Sequence, residues 1–484
     1  MMQTSNTQRE VVIIGAGYTG LSAALELCKA GCKVTIYEKD SDIGGLAGTF
    51  ELSPGIRVEK FYHHWFTSDV DVLDLIDELG LGHLKQYRSS NTGLYYTNSI
   101  FRLASPLDLL KFTALPFVDR IRTGLMALQA RRVNNWKPLE QISAEEWLIR
   151  YGGRQAYNVI WNPLMQGKFG VEAKNVSAVW IWNKLKLRGS SRNKKGGESL
   201  VYFGGGFGAL TEGIRKSLES LGVTIHLNTS VSSILTENGR TVGVETSRGA
   251  HRADAVLCTV PLPLFLSMTK DLPESYKTQC EQIRFLGNSC LVLRLRRSLS
   301  STYWLNVADP SFPFVGIIEH TNLDPKENYG GDHIVYLSKY LPTTEALFSF
   351  TPDEMLEYCI PFIQRIFPEF DRSWIISHHV WKAQFSQPVI TKSYSSLIPS
   401  LKTPIDDLWL CTMAQIYPED RGTNYAVRYG KRVAKEMLAS FMHDASHSLK
   451  VPSRPMNQAV NGGSPDVSTK PDAVNSFSTA ASLD

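Results

Sequence analysis

The chain has 484 residues, 43% of them hydrophobic and 20% charged, enough for two or three domains with a sizeable core. A formal net charge of +4 is too small to argue for nucleic acid, and seven scattered cysteines, with no CxxC pair and no His/Cys cluster at ligand spacing, argue against a metal site or a disulfide framework. The first strand begins about ten residues in, which leaves no room for a signal peptide, and no run of about 18 apolar residues offers a membrane span, so the expected location is cytoplasmic.

The first predicted element is the apolar strand Val11-Val12-Ile13-Ile14, which runs straight into Gly15-Ala16-Gly17-Tyr18-Thr19-Gly20. Helical spacing follows at Leu21, Leu25 and Cys28, and a second strand, Lys33 to Tyr37, leads into Glu38 and Lys39. This is a GxGxxG dinucleotide fingerprint in its βαβ context. Gly15 permits the tight turn, Gly17 lets a pyrophosphate approach the backbone, and Gly20 lets helix and strand pack closely. The helix start directs unpaired N–H groups at the phosphates. Glu38, 18 positions beyond Gly20, can accept hydrogen bonds from ribose hydroxyls and would repel a 2′-phosphate. Gly44-Gly45-Leu46 then supplies small residues against which a bulky ligand can lie, or simply forms a loop.

Phe61-Tyr62-His63-His64-Trp65-Phe66 sets a histidine pair among aromatics. Imidazole can act as acid, base or donor near neutral pH, so His63 and His64 are candidate catalytic residues, with Tyr62 beside substrate; core packing with one satisfied buried histidine is the alternative. Residues from about 66 to 200 read as mostly helical. One helix, Pro106 to Ala130, carries a leucine-rich stripe edged by Arg120, Arg122, Arg131 and Arg132. Such a basic amphipathic stretch can sit on the inner face of a membrane, although core packing explains most such stripes. Asn162 to Gly170 reads as a Pro/Gly-containing loop whose Lys168 can meet an anionic substrate or polarise a water, or merely be solvated. A helix with Trp180 and Trp182 precedes Lys186 and Arg188 and offers a pocket wall.

A second α/β block starts near Tyr202 with Gly204-Gly205-Gly206-Phe207, followed by strands at 223–227, 231–235, 241–246 and 253–261. Glu319-His320-Thr321-Asn322 follows an apolar strand and reads either as a substrate grip or as a strand-ending turn. A last strand, Trp409 to Met413, leads into a charged turn containing Asp420, Arg421, Gly422 and Asn424, with a helix beyond. Arginine there is always charged and forked. From about His443 the chain loses periodicity and should be a disordered tail.

Four blocks, the first βαβ unit with its second glycine pair, Tyr202 to Ile214 with Thr229 to Ile234, Ala253 to Pro261, and Tyr417 to Gly430, carry a family resemblance over roughly residues 10–440. The chain resembles the FAD-dependent flavoproteins that include amine oxidases, protoporphyrinogen oxidase and phytoene desaturases. The resemblance implies an α/β fold with a Rossmann-type, glutathione-reductase-like FAD-binding domain (10–60, 200–265 and 405–442) and an inserted mixed α+β substrate domain (61–199 and 266–404). It implies FAD contacts at Gly15, Ala16, Gly17, Tyr18, Thr19, Gly20, Glu38, Lys39, Gly44, Gly45, Leu46, Val231, Asp420, Arg421, Gly422 and Asn424. One departure stands out. Much of the family ends the last strand in Gly-Asp, whereas this chain has Cys411-Thr412-Met413-Ala414, so Asp420 or a backbone group has to take that role. The expected activity is hydride transfer from a C–C or C–N bond of a small substrate, lipid-soluble or anionic, to flavin, with oxygen or a quinone as acceptor. Catalytic candidates are His63, His64, Lys168 and Arg421; substrate candidates are Tyr62, Arg188, Glu319 and His320. Val58 to Ser68 also resembles the histidine-bearing segment of UDP-galactopyranose mutase, a flavin-using isomerase, and a non-catalytic FAD-bound scaffold is the third expectation.

Overall fold

A computed structural model describes residues 8–103, 105–190 and 198–448. Residues up to Ala439 form one unit and those from Ser440 a second; every sheet lies in the first. Its N-terminal sheet has five strands in the spatial order Thr224–His226, Lys33–Tyr37, Glu10–Ile14, Ala255–Cys258, Leu408–Leu410, each pair parallel. Val11 to Ile14 are buried on both faces, which is why the strand reads as a continuous apolar run without alternation. The helices Tyr18–Lys29 and Gly206–Ser220 start beside it. This is a Rossmann-like parallel sheet.

The second large layer is a seven-stranded sheet, in the order Ile375–Pro388, Phe285–Leu295, His333–Leu341, Gly316–Glu319, Trp304–Val307, Thr92–Tyr96, Ser99–Arg102. It is antiparallel except where Trp304–Val307 pairs with Thr92–Tyr96. Leu291, Leu293, Ile317 and Val335 on one face pack with Met355 and Ile363 of the helix Pro352–Ile366, whose start is closed by a Thr351–Glu354 capping box. Buried Glu59 ties the segment before the histidine pair to the helix Gly206–Ser220. Its Oε1 accepts from Phe207 N (2.8 Å) and Tyr202 Oη (2.7 Å).

The region 66–200 is mostly helical, as expected, and also holds the strands Lys85–Ser89, Thr92–Tyr96 and Ser99–Arg102. Three expectations are corrected here. Asn162–Phe169 is a helix, because Pro163 sits at its first turn, where no N–H partner is lost, and Gly167 lets Val315 pack close. The stretch 106–130 is two helices, Pro106–Lys111 and Phe117–Arg132, separated at Pro116. The expected placement, cytoplasmic with contact to the inner face of a membrane, is not upheld: the stretch behind the membrane contact is these two helices, and among the described residues no helix is long and apolar enough to cross a membrane. Of the tail expected to be disordered, 449–484 lie outside the described residues.

Candidate cofactor and substrate site

Two glycine turns lie against each other above the parallel sheet. Gly15 takes φ +100°, and a Cβ there would sit 2.9 Å from Thr259 Oγ1. A Cβ on Gly20 would fall 2.2 Å from the Gly15 carbonyl oxygen, so only glycine allows the helix to start this close to the strand. Gly17 has nothing within 4 Å on that side, which leaves open space. The helix Tyr18–Lys29 begins there with no side-chain cap and no acidic residue in its first turn, so its first N–H groups and dipole face that space. Gly44 N donates to Ala16 O (2.8 Å), and Gly45, in the left-handed region, brings its Cα edge against Gly17.

Glu38 is buried at the sheet edge. Its Oε2 accepts from Ala16 N (2.7 Å) and its Oε1 from Asp40 N (3.0 Å); burial pushes its carboxyl up, and those two bonds oppose the rise. Thr229 N donates to Glu38 O (2.8 Å), which brings the start of the strand Val231–Glu237 to the same corner. Lys39 is exposed and Thr19 half-buried. Tyr18 turns inward, its hydroxyl 3.2 Å from Thr211 Oγ1.

Leu46, next to the second glycine turn, lines a cavity of about 180 Å³ between the aromatic segment Phe61–Phe66, the C-terminal turn 420–425 and the large sheet. His63 Nδ1–H donates to Phe61 O (2.6 Å), and burial lowers its pKa. His64 Nδ1 lies 2.9 Å from Tyr303 Oη. Trp65 Nε1 donates to Thr423 Oγ1 (2.7 Å) and Val72 N to Asn424 Oδ1 (3.1 Å), so the aromatic segment and the next helix are fastened to the turn. Tyr62 sits edge-on to Trp304 with centroids 4.9 Å apart; burial, then neighbouring Tyr340, pushes its pKa well up. Gly422 also lies in the wall.

Asp420 lines the same cavity. It pairs with Lys184 (2.6 Å) and accepts from Gln387 Nε2 (3.2 Å). Burial alone would raise its pKa, but Lys184, Lys168 and Arg421 together hold it far below the usual carboxylate range. Arg421 Nη2 donates to Tyr340 Oη (2.8 Å). Lys168 stands behind that wall with its ammonium 4.8 Å from the Tyr340 ring centre and 4.9 Å from that of Trp180. Burial lowers its pKa to about 7, with Asp420 opposing and Lys184 and Arg421 adding to the fall.

Two substrate candidates are placed elsewhere. Glu319 accepts from Ser298 Oγ (2.5 Å), Leu299 N (3.2 Å) and Ser300 N (2.9 Å), fixing a turn, and burial pushes its pKa up to about 7. His320 is buried with Nε2 2.7 Å from Tyr329 Oη. Neither lines the cavity. The side chain of Arg188 lies outside the described residues, and Lys186 packs over Trp182 (4.9 Å). Sequence reasoning missed Lys184, Asn288, Trp304, Ser338 and Tyr340, all in the wall. Only Lys184 had a signal, its i,i+4 spacing from Trp180 on one helix face.

The sequence pattern of the flavin containing amine oxidoreductase family matches residues 18–438. A probable zeta-carotene desaturase from Synechococcus elongatus is 23% identical, the match covering 88% of this chain and 98% of that protein. The crystal structure of a putative protoporphyrinogen oxidase from Exiguobacterium sp. 255-15 superposes with a TM-score of 0.72 at 17% identity, covering 90% of this chain and 99% of that one. Reduced UDP-galactopyranose mutase superposes with a TM-score of 0.67, also at 17% identity, covering 90% and 96% respectively. At such identity the two structures share the fold.

Proposed function

The chain belongs to the flavin containing amine oxidoreductase family, and on that footing we propose that it is an FAD-dependent oxidoreductase taking a hydride from a C–C or C–N bond of a small or lipid-soluble substrate, with oxygen or a quinone as acceptor. The supporting observation is the continuity of the site: the glycine turns abut, and the second ends at Leu46 in the wall of the aromatic cavity. The open face of Gly17, the uncapped helix start and buried Glu38 fit a diphosphate and a ribose. The discontinuous partition into FAD-binding and substrate-binding segments belongs to the same proposal.

Bound there, FAD would supply the hydride acceptor. The chain supplies binding and orientation. Main-chain N–H groups at the start of Tyr18–Lys29 hold the diphosphate, and Glu38 accepts from ribose hydroxyls. Tyr62, Trp304 and Tyr340 exclude water and orient a flat substrate. His63, kept neutral by burial and donating through Nδ1, presents Nε2 as a proton acceptor.

The test is anaerobic titration of the purified yellow protein. A candidate substrate that bleaches the oxidised flavin band supports the proposal; protein that stays colourless after incubation with FAD sinks it. A second reading, isomerisation of a nucleotide sugar, rests on His63, His64 and Arg421 facing one cavity. Turnover of UDP-galactopyranose only after dithionite reduction would select it. Bound FAD that nothing reduces or perturbs would select the scaffold.

A further inference from the structure

We propose, resting on the flavin reading above, that the substrate is an acid and enters the cavity with its carboxylate against Arg421. Three basic residues, Lys168, Lys184 and Arg421, gather at this corner, and one carboxylate, Asp420, is already paired with Lys184 at 2.6 Å. The wall's other carboxylate, Asp69, accepts from Phe66 N (2.9 Å). Among the described residues no carboxylate lies within ion-pair distance of Arg421 or Lys168. Among the described residues Arg421 donates to the Tyr340 hydroxyl, and its buried Nε atom has no partner; Lys168 rests on ring faces. Lys168, held near 7, is largely neutral above that pH, and Lys184 is paired, so among the described residues the Arg421 guanidinium is the cation of this corner that lacks a carboxylate. One carboxylate would balance it. The guanidinium fork suits a carboxylate, and its uncommitted Nε–H is one more donor for it. Tyr62 and Trp304 present rings in the same wall, so the acid should carry a flat apolar body. An amine substrate, by contrast, would set a cation against cations.

The experiment uses the yellow holoprotein at pH 7.5 and a size-matched trio: 2-naphthoate, 2-naphthylmethylamine and 2-naphthylmethanol. Titration is followed by the perturbation of the flavin visible band. Naphthoate should bind at least tenfold tighter than either analogue. Arg421→Met should abolish that advantage while retaining flavin, and Arg421→Lys should keep part of it. The proposal is overturned if the amine or alcohol binds as well as the acid, if naphthoate has no effect, if the preference survives Arg421→Met, or if that variant loses FAD, which would make Arg421 a cofactor residue. The wild-type trio decides the matter should the variant fail to fold. A colourless wild-type protein counts against the flavin reading alone, because naphthoate fluorescence polarisation still reads the acid preference.

Discussion

Replacing Lys168 with Met tests the electrostatics of the cavity wall directly. Burial holds this ammonium at about 7, against 10.5 for a free lysine. Between those limits the unfolded chain carries a proton that the folded chain has released, so the stability contributed by this group rises with pH across the window. One pKa unit corresponds to about 1.4 kcal/mol, which puts an upper figure near ~2 kcal/mol on the gain from pH 7 to pH 9. Lys168 is only half-buried, and screening reduces the gain to ~1 kcal/mol. In Lys168→Met nothing at this position titrates. Wild-type protein should therefore gain about 1–2 kcal/mol more than the variant over that range, roughly 1–2 °C in Tm for a chain of this size. Scanning calorimetry at pH 7, 8 and 9 and constant ionic strength measures the difference. Parallel Tm curves for the two proteins would refute the reasoning.

Two further substitutions probe the scaffold of the site. Gly20→Ala places a methyl 2.2 Å from the Gly15 carbonyl oxygen, so the turn must shift; FAD occupancy measured by absorbance should fall at least tenfold, and undiminished yellow protein would count against the cradle. Glu59→Ala leaves the Phe207 amide and the Tyr202 hydroxyl buried without their acceptor, at a cost of about 2–4 kcal/mol measurable by urea denaturation; a loss below ~1 kcal/mol would show that the bonds are replaced.

The βαβ unit was legible because its information is local: strand, turn glycines, helix and acid all fall within about 30 residues, each with its own steric or electrostatic reason. The aromatic histidine segment and the Asp420–Asn424 turn were also legible as chemistry, though not as neighbours. Tyr340, Ser338, Asn288 and Trp304 were not. They come from strands that are far apart in the chain, and register and sheet order alone bring them to one wall. Glu319 and His320 misled for the converse reason. Polar groups after an apolar strand look available until their partners, Ser298 to Ser300 and Tyr329, are seen to occupy them. In the helix 162–169, Pro163 and Gly167 imitate a loop because composition does not reveal that one sits at the first turn and the other beneath Val315.

The hydrogen bond from Ala16 N to Glu38 has a thermodynamic corollary. It clamps the first turn to the end of the second strand before any nucleotide arrives, so the turn has few alternative conformations left to surrender on association. Ordering entropy is settled during folding, and affinity at that end then depends on how well a ligand's ribose can share an already engaged carboxylate.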